Sequence, residues 1–111
     1  MTDIEQIIFE IISNSGEARS ILMGIIKNSE EGNFGECETK LKIAKQRLKD
    51  AHKAHFEIIT SESKNNQLSF NLLLVHAEDQ MMAAEIVFDL TETIIRANKR
   101  IFHLEKKCGN Q

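Results

Sequence analysis

Apolar residues recur three or four positions apart in three long segments of the chain, and no proline interrupts them. Such spacing places the apolar side chains on one face of an α-helix. The segments cover about residues 3–28, 34–60 and 68–106, with short polar stretches between them. Helices joined by short connections pack antiparallel to each other. The sequence therefore predicts an all-α fold, an antiparallel three-helix bundle that forms a single domain over residues 1–111.

The stretch between the first two segments contains residues that commonly end and begin helices. Gly32 suits the position just after a helix, where the backbone often has a positive φ angle. Asn33, followed three residues later by Glu36, fits a capping box. We therefore predict that the first helix ends before Gly32 and that Asn33 caps the second helix.

The third segment has more apolar surface than a small bundle can use. One set of its residues follows heptad steps, and a second apolar set lies beside the first. A stripe of this width exceeds what two neighbouring helices can cover. We therefore predict a homo-oligomer that buries the third helix on two sides. The heptad set is Leu68, Leu72, Val75, Asp79, Met82, Ile86 and Thr93, and the second set includes Leu73, Ala84, Val87, Phe88 and Ile94.

Composition and charge argue against several classes of protein. The formal net charge is −3 at pH 7, which does not favour nucleic-acid binding. The longest uncharged run, residues 65–77, is too short and too polar at its start to span a membrane. The first residues carry acids where a signal peptide carries bases. Cys37 and Cys108 make neither a disulfide framework nor a zinc site. We predict a cytoplasmic protein without direct membrane insertion.

Asp79 occupies a heptad position between Val75 and Met82, inside the apolar stripe. Burying an unpaired carboxylate is costly, so this side chain needs a cation or hydrogen-bond donors. A Lys or Arg of a neighbouring helix could supply the charge. Alternatively, symmetry could bring copies of Asp79 together around a shared Mg²⁺ ion that keeps some of its waters. The residue pattern leaves both alternatives open.

His76 and Gln80 lie on the same side of the third helix as Asp79, because three or four residues complete about one helical turn. Histidine is suited to accept a phosphoryl group, since near pH 7 it is neutral and has one nucleophilic nitrogen. The pattern alone favours a core histidine with one hydrogen-bond partner. A metalloenzyme that uses His76 with Asp79 is a weaker alternative, because one chain supplies too few ligands.

His52 and His55 lie three residues apart in the second segment, a spacing that could hold a metal ion. The sequence contains no second ligand set of matching spacing. We therefore predict that His52 is exposed and that His55 belongs to the seam of the second helix.

The stretch around His76 resembles a known family. LLLVHAEDQMMAA (residues 72–84) resembles the signature of the lactose/cellobiose-type IIA components of the bacterial sugar phosphotransferase system, roughly L-L-x-V-H-A-Q-D-H-L-M. IISNSGEARS (residues 11–20) resembles the first helix of that family with its G-x-A-R. The stretch EEGNFGECETKLKIAKQRLKDAHKAH (residues 30–55) resembles its G-[DN]-F-x-x-A and A-H patterns. The resemblance covers nearly the whole chain in order.

The resemblance implies a homotrimer of three-helix protomers, a nine-helix bundle. His76 corresponds to the histidine that accepts the phosphoryl group, on Nε2 in the family. Asp79 corresponds to the aspartate that gathers Mg²⁺ or a similar divalent cation on the trimer axis. Gln80 stands where the family commonly has histidine, and it can donate hydrogen bonds to a phosphate.

The activity implied by the resemblance is that of a phosphohistidine carrier. His76 would accept phosphate from the phosphocarrier protein HPr and pass it to a cysteine of the cognate IIB protein. IIB would then phosphorylate a β-linked disaccharide, of the lactose, cellobiose or chitobiose class, as it enters through IIC. This function is a step of sugar transport.

Glu78 departs from the family pattern, which commonly has glutamine at this position. A carboxylate that reached the pocket of a neighbouring subunit would repel a phosphoryl group. It could instead point away from that pocket or be paired with a basic residue. The departure leaves an alternative of a different class, a degenerate IIA-like trimer with a regulatory or structural role.

Overall fold

The computed structural model describes residues 3–65 and 71–109, and the side chains of this set except those of residues 63–65. It contains three helices, α1 (Asp3–Glu30), α2 (Cys37–Asn65) and α3 (Leu72–Gly109). The described residues include no strand, so the predictions of an all-α fold and of three helices are confirmed. The predicted start of the third helix near residue 68 lies outside the described residues, and α3 begins at Leu72.

The order of contacts along the helices shows how they run. Ile8 of α1 packs with Ile58 of α2 in one cluster, and Leu22 packs with Ala44 in another, so α1 and α2 are antiparallel. Asn98 of α3 donates a 2.8 Å hydrogen bond to Ser29, close to the end of α1. α1 and α3 therefore run in the same direction. The bundle is a rod of 68 × 18 × 18 Å.

α1 lies between the other two helices and packs more extensively on each than they pack on each other. Alanines occupy many of the fully buried positions, and a methyl side chain lets neighbouring helices approach closely. No helix of the described part combines the length and the apolar character needed to cross a membrane. The buried alanines are Ala18, Ala44, Ala51, Ala54, Ala77 and Ala84.

The core side of α3 is not the heptad set that the sequence favours. Within the chain, α3 buries Ala77, Met81, Ala84, Thr91 and Ile95. The heptad residues from Leu72 to Thr93 lie on the opposite side, exposed to solvent; Leu68 lies outside the described residues. We call this surface the outer face of α3. Its large apolar residues are between 45% and 71% exposed, and they flank Asp79; the face consists of Leu72, Val75, Asp79, Met82, Ile86 and Leu90.

The connection between α1 and α2 differs in part from the prediction. Gly32 has φ = +81°, and the amides of Gly32 and Asn33 donate to the carbonyls of Ser29 and Asn28, at 3.2 and 2.8 Å. This pattern is a Schellman motif, so the predicted role of Gly32 is confirmed. The capping box at Asn33 is wrong, because the Asn33 amide already closes α1. α2 begins three residues later than predicted, at Cys37.

Candidate functional site

Three helix ends meet at the end of the rod that carries His76. The start of α1, the end of α2 and the start of α3 share one apolar cluster there, in which Ile8, Ile58 and Ala77 pack together. The cluster fixes the first turns of α3. Asn71 precedes this helix, and its side-chain oxygen accepts a 3.2 Å hydrogen bond from the amide of Leu74. Asn71 is therefore the N-cap of the helix that carries His76.

His76 is the fifth residue of α3 and is exposed. No hydrogen bond or ion pair joins it to another described residue. The interpretation as a core histidine with one partner is therefore wrong. Helical side chains lean toward the N-terminus of their helix, so the imidazole extends along the first turn of α3. That turn contains no acid, and its free amides favour negative charge nearby.

Gln80 and Asp79 follow His76 by about one turn, as the spacing predicts. Gln80 is half-buried and Asp79 is exposed within the outer face. Neither forms a hydrogen bond or an ion pair with another described residue. The alternative in which a Lys or Arg of the same bundle pairs with Asp79 is therefore not found in the described part of the chain. The structure keeps all three side chains available to groups outside this chain.

Glu78 projects from α3 toward α2, where it meets His55. His55 Nε2 lies 2.7 Å from Glu78 Oε2. An ionised carboxylate only accepts hydrogen bonds, so the histidine nitrogen is the donor. The His55 side chain is 17% exposed and that of Glu78 is 38% exposed, so the histidine is the more buried partner. Of the possibilities open for Glu78, the structure has the one in which a basic residue pairs with it.

The pairing of His55 with Glu78 was missed by the sequence reasoning, which treated the two residues separately. His55 does belong to the seam of α2 and His52 is exposed, as predicted. His52 of α2 forms a similar histidine–carboxylate contact with Glu85 of α3. A signal existed in the sequence, because each histidine of α2 has an acid available on an antiparallel neighbour. Finding it required the register of α2 against α3.

A divalent cation does not have enough ligands within one chain. No cluster of three or more His, Cys, Asp or Glu side chains suited to a metal occurs among residues 3–65 and 71–109. Asp79 nevertheless fits a shared ion, because its carboxylate is exposed, has no partner among these residues and lies in an apolar surface. Hard cations such as Mg²⁺ prefer oxygen ligands and retain waters. One carboxylate from each of several chains would form such a site.

Comparison with known proteins identifies the family. Residues 6–99 match the family model for the PTS system, Lactose/Cellobiose specific IIA subunit. The chain belongs to this family. Its relatives include the PTS system oligo-beta-mannoside-specific EIIA component of Bacillus subtilis. That IIA protein is 37% identical over 95 residues, which make up 86% of this chain and 86% of the relative.

Two solved structures of IIA proteins share the fold. The crystal structure of the PTS cellobiose-specific enzyme IIA from Bacillus anthracis matches with a TM-score of 0.86 and 34% identity, and covers 93% of this chain and 94% of that one. The solution structure of the IIA(Chitobiose)–HPr complex from Escherichia coli matches with a TM-score of 0.78 and 23% identity, over 91% of this chain and 98% of that one. The second likeness concerns the fold alone.

Proposed function

We propose that this IIA protein is a phosphohistidine carrier and that His76 is the residue that carries the phosphoryl group. The observation that supports this most directly is the state of His76. In a chain of this family, it is exposed beside the first turn of a capped helix and has no hydrogen-bond or ion-pair partner among the described residues. A carrier histidine must be reachable by two different proteins in turn. A buried imidazole would not be.

The proposed transfer requires little chemistry from the protein itself. The unprotonated ring nitrogen of His76 attacks the phosphorus atom in line, the bond from phosphorus to the donor breaks, and the donor keeps the electron pair. A second transfer, to a cysteine thiolate of IIB, repeats the step with His76 as the leaving group. Neither step uses water. Positioning and support for the equatorial oxygens are the main contributions that IIA can make.

Two groups of this chain are placed to support those oxygens. Gln80 lies one turn after His76, and its amide can donate hydrogen bonds to phosphate. The free amides at the start of α3 favour an anion close to them. Leu72 and Leu73 make this region apolar, which limits loss of the phosphoryl group to water.

The outer face of α3 supports a homotrimer, a nine-helix bundle with α3 innermost. Contiguous exposed apolar surface on a small protein commonly marks an interface. A cyclic trimer would bury the outer faces of its α3 helices against one another and bring its copies of Asp79 together. Mg²⁺ or a similar ion held there would offset the mutual repulsion of these carboxylates. The ion would stabilise the assembly and take no part in phosphoryl transfer.

The proposed partners follow from the family and from its solved complex. HPr is bound to the IIA protein in the Escherichia coli complex, and we propose phosphorylated HPr as the donor here. The acceptor would be the cysteine of a cognate IIB protein in the cytoplasm. The sugar belongs to the β-linked disaccharides of the lactose, cellobiose and chitobiose class. The choice among them rests with IIC.

The test is phosphoryl uptake by His76→Ala and a matched control. The protein is incubated with phosphoenolpyruvate, enzyme I and HPr, and phosphohistidine is measured by ³¹P NMR. Wild type and His103→Ala should acquire one phosphoryl group per chain, because His103 is an exposed histidine on the same helix. His76→Ala should acquire none and should keep the same helix content. Absence of uptake in wild type, beside a IIA protein that is labelled, would refute the proposal.

A further inference from the structure

Glu78 and His76 lie on opposite flanks of the outer face of α3. Residues two apart on a helix point roughly 200° away from each other. The outer face fills the narrower sector between them, since Asp79 and Val75 belong to it. The contacts agree with this geometry, because Glu78 pairs with His55 of α2, whereas His76 forms no hydrogen bond or ion pair with a described residue. Within one chain, the carboxylate is therefore remote from the phosphoryl acceptor.

Assembly of a cyclic trimer on the outer face would bring Glu78 close to the phosphoryl acceptor of another subunit. The inference drawn from this rests on the proposed function and its cyclic trimer. Around a symmetry axis, one flank of each α3 faces the opposite flank of the next α3, so Glu78 of one subunit faces His76 of its neighbour. The two residues differ in height along the helix by only about 3 Å, twice the rise per residue. Glu78 is thus the acid of this chain that approaches a phosphoryl group on the neighbouring subunit.

A free carboxylate at that distance would oppose the reaction. The phosphoryl group carries up to two negative charges, and like charges near each other raise the energy of the phosphorylated state. The Glu78 carboxylate is not free, because His55 Nε2 lies 2.7 Å from Glu78 Oε2. The His55 imidazole fixes the carboxylate against α2 and donates a hydrogen bond to it.

We infer that His55 is a positioning residue for phosphoryl transfer: it holds Glu78 against α2, so that a chain with an acid at this place still accepts phosphate at the adjoining subunit interface. His55 never touches the phosphoryl group. It acts only through Glu78. In a Glu78→Gln variant, His55 should therefore no longer affect phosphoryl transfer.

His52 and Glu85 provide an internal comparison. They form the same kind of contact between the same two helices, but the histidine is 52% exposed, against 17% for His55. Glu85 also lies two turns beyond Glu78, more than 10 Å farther along the axis at about 1.5 Å per residue. This second pair should stabilise the packing of α2 on α3 without effect on the phosphoryl group.

The experiment is a double-mutant cycle on the rate of phosphoryl uptake from phosphorylated HPr. Four trimeric proteins are compared: wild type, His55→Leu, Glu78→Gln and the double variant. Leucine keeps the volume of a half-buried side chain while removing the hydrogen bond. We expect His55→Leu to slow uptake about tenfold, because the released Glu78 carboxylate would repel the incoming phosphoryl group. A tenfold change corresponds to the free energy of about one pKa unit. Glu78→Gln and the double variant should both stay within about twofold of wild type. His52→Leu is the matched control and should also match wild type.

Rescue by Glu78→Gln separates positioning from a structural role. If the double variant remains as slow as His55→Leu, His55 acts through packing and the inference is overturned. If His55→Leu equals wild type while wild type is phosphorylated, the inference fails and the carrier function stands. If wild type takes up no phosphoryl group, the proposed function fails and this inference with it. The ¹⁵N signal of His55 Nε2 gives a second test, independent of the His55 variants: it must change in Glu78→Gln, and an unchanged signal contradicts the pairing.

Discussion

Gly32 ends α1 and also lies against α3. Its φ of +81° closes α1, and its Cα faces the ring of Phe102 on α3. A Cβ at this position would lie 2.7 Å from that ring. Phe102 also packs edge-on against Phe34, with the ring centroids 5.7 Å apart. One glycine therefore supports both the turn and the docking of α3 on it.

Gly32→Ala should lower the free energy of unfolding by at least about 1 kcal/mol, because the left-handed backbone disfavours a side chain and the new Cβ displaces Phe102. Gly24→Ala is the control. This glycine lies in α1 with no atom near the position of a Cβ, so alanine should raise helix stability by about 0.5–1 kcal/mol. Urea unfolding at one fixed protein concentration measures both. Equal effects of the two substitutions would contradict the role given to Gly32.

At the scale of the helix, α3 shows what the sequence could and could not predict. Periodicity correctly identified a long helix with His76, Asp79 and Gln80 on one side. It could not tell which of two apolar faces forms the chain's own core, because both have helical spacing. The buried face is the one that carries Ala77 and Ala84, since their small side chains allow α1 to approach closely. Met81 and Ile95 are buried beside them, and the outer face keeps the other large apolar residues, such as Leu72 and Ile86, exposed.

The start of α2 was mispredicted for a different reason. Asn33 has a side chain suited to capping a helix, but the partner of its backbone amide determines which helix it belongs to. That amide donates to Asn28 and completes the end of α1. Phe34 is then held against Phe102. Contacts with residues far along the chain thus overrode a local signal. The pairing between His55 and Glu78 likewise depends on residues far apart in the sequence.

Asn71→Ala tests how α3 is set at the end that carries His76. Loss of an N-cap side chain typically costs about 1 kcal/mol, so unfolding should require less urea. Asn14→Ala is the control, because Asn14 lies inside α1, where its side-chain amide donates a hydrogen bond to the carbonyl of Glu10, one turn earlier in the same helix. Alanine is a better helix former at such a position, and stability should not fall. Circular dichroism in urea checks both. If Asn71→Ala unfolds like wild type, Asn71 is not a stabilising cap.

At the scale of the whole molecule, the single chain is a thin rod with an exposed apolar face on α3, a surface that association with other chains would bury. The core of the single chain combines isoleucines and leucines with closely packed alanines, whereas the outer face keeps Leu72, Met82 and Ile86 in water. Removing such side chains from water yields about 25 cal/mol per Å². The width of the stripe on the third segment predicted this surplus surface, and that part of the prediction is confirmed. The trimer itself stays a prediction.

Ile86→Lys should break the proposed assembly. The substitution places an amine from every subunit in an apolar interface, and burying unpaired charge is strongly unfavourable. Sedimentation velocity should then show monomers. Met23→Lys is the matched control, since Met23 is also a large exposed residue, 52% against 59%, but belongs to α1. It should remain trimeric. A trimer that survives Ile86→Lys unchanged cannot be built on the outer face of α3.

Asp79→Leu, on the same face, should remove the dependence of the trimer on a divalent cation. In wild type, the gathered carboxylates repel one another unless a cation lies among them, so a chelator should weaken the trimer and Mg²⁺ should restore it. Leucine removes the repulsion and adds apolar surface. The variant should therefore form a trimer of at least equal stability that no longer responds to chelator, as seen by sedimentation with and without EDTA. If wild type and Asp79→Leu respond alike, Asp79 does not hold an ion on the axis, and another group must explain why an acid lies among these apolar residues.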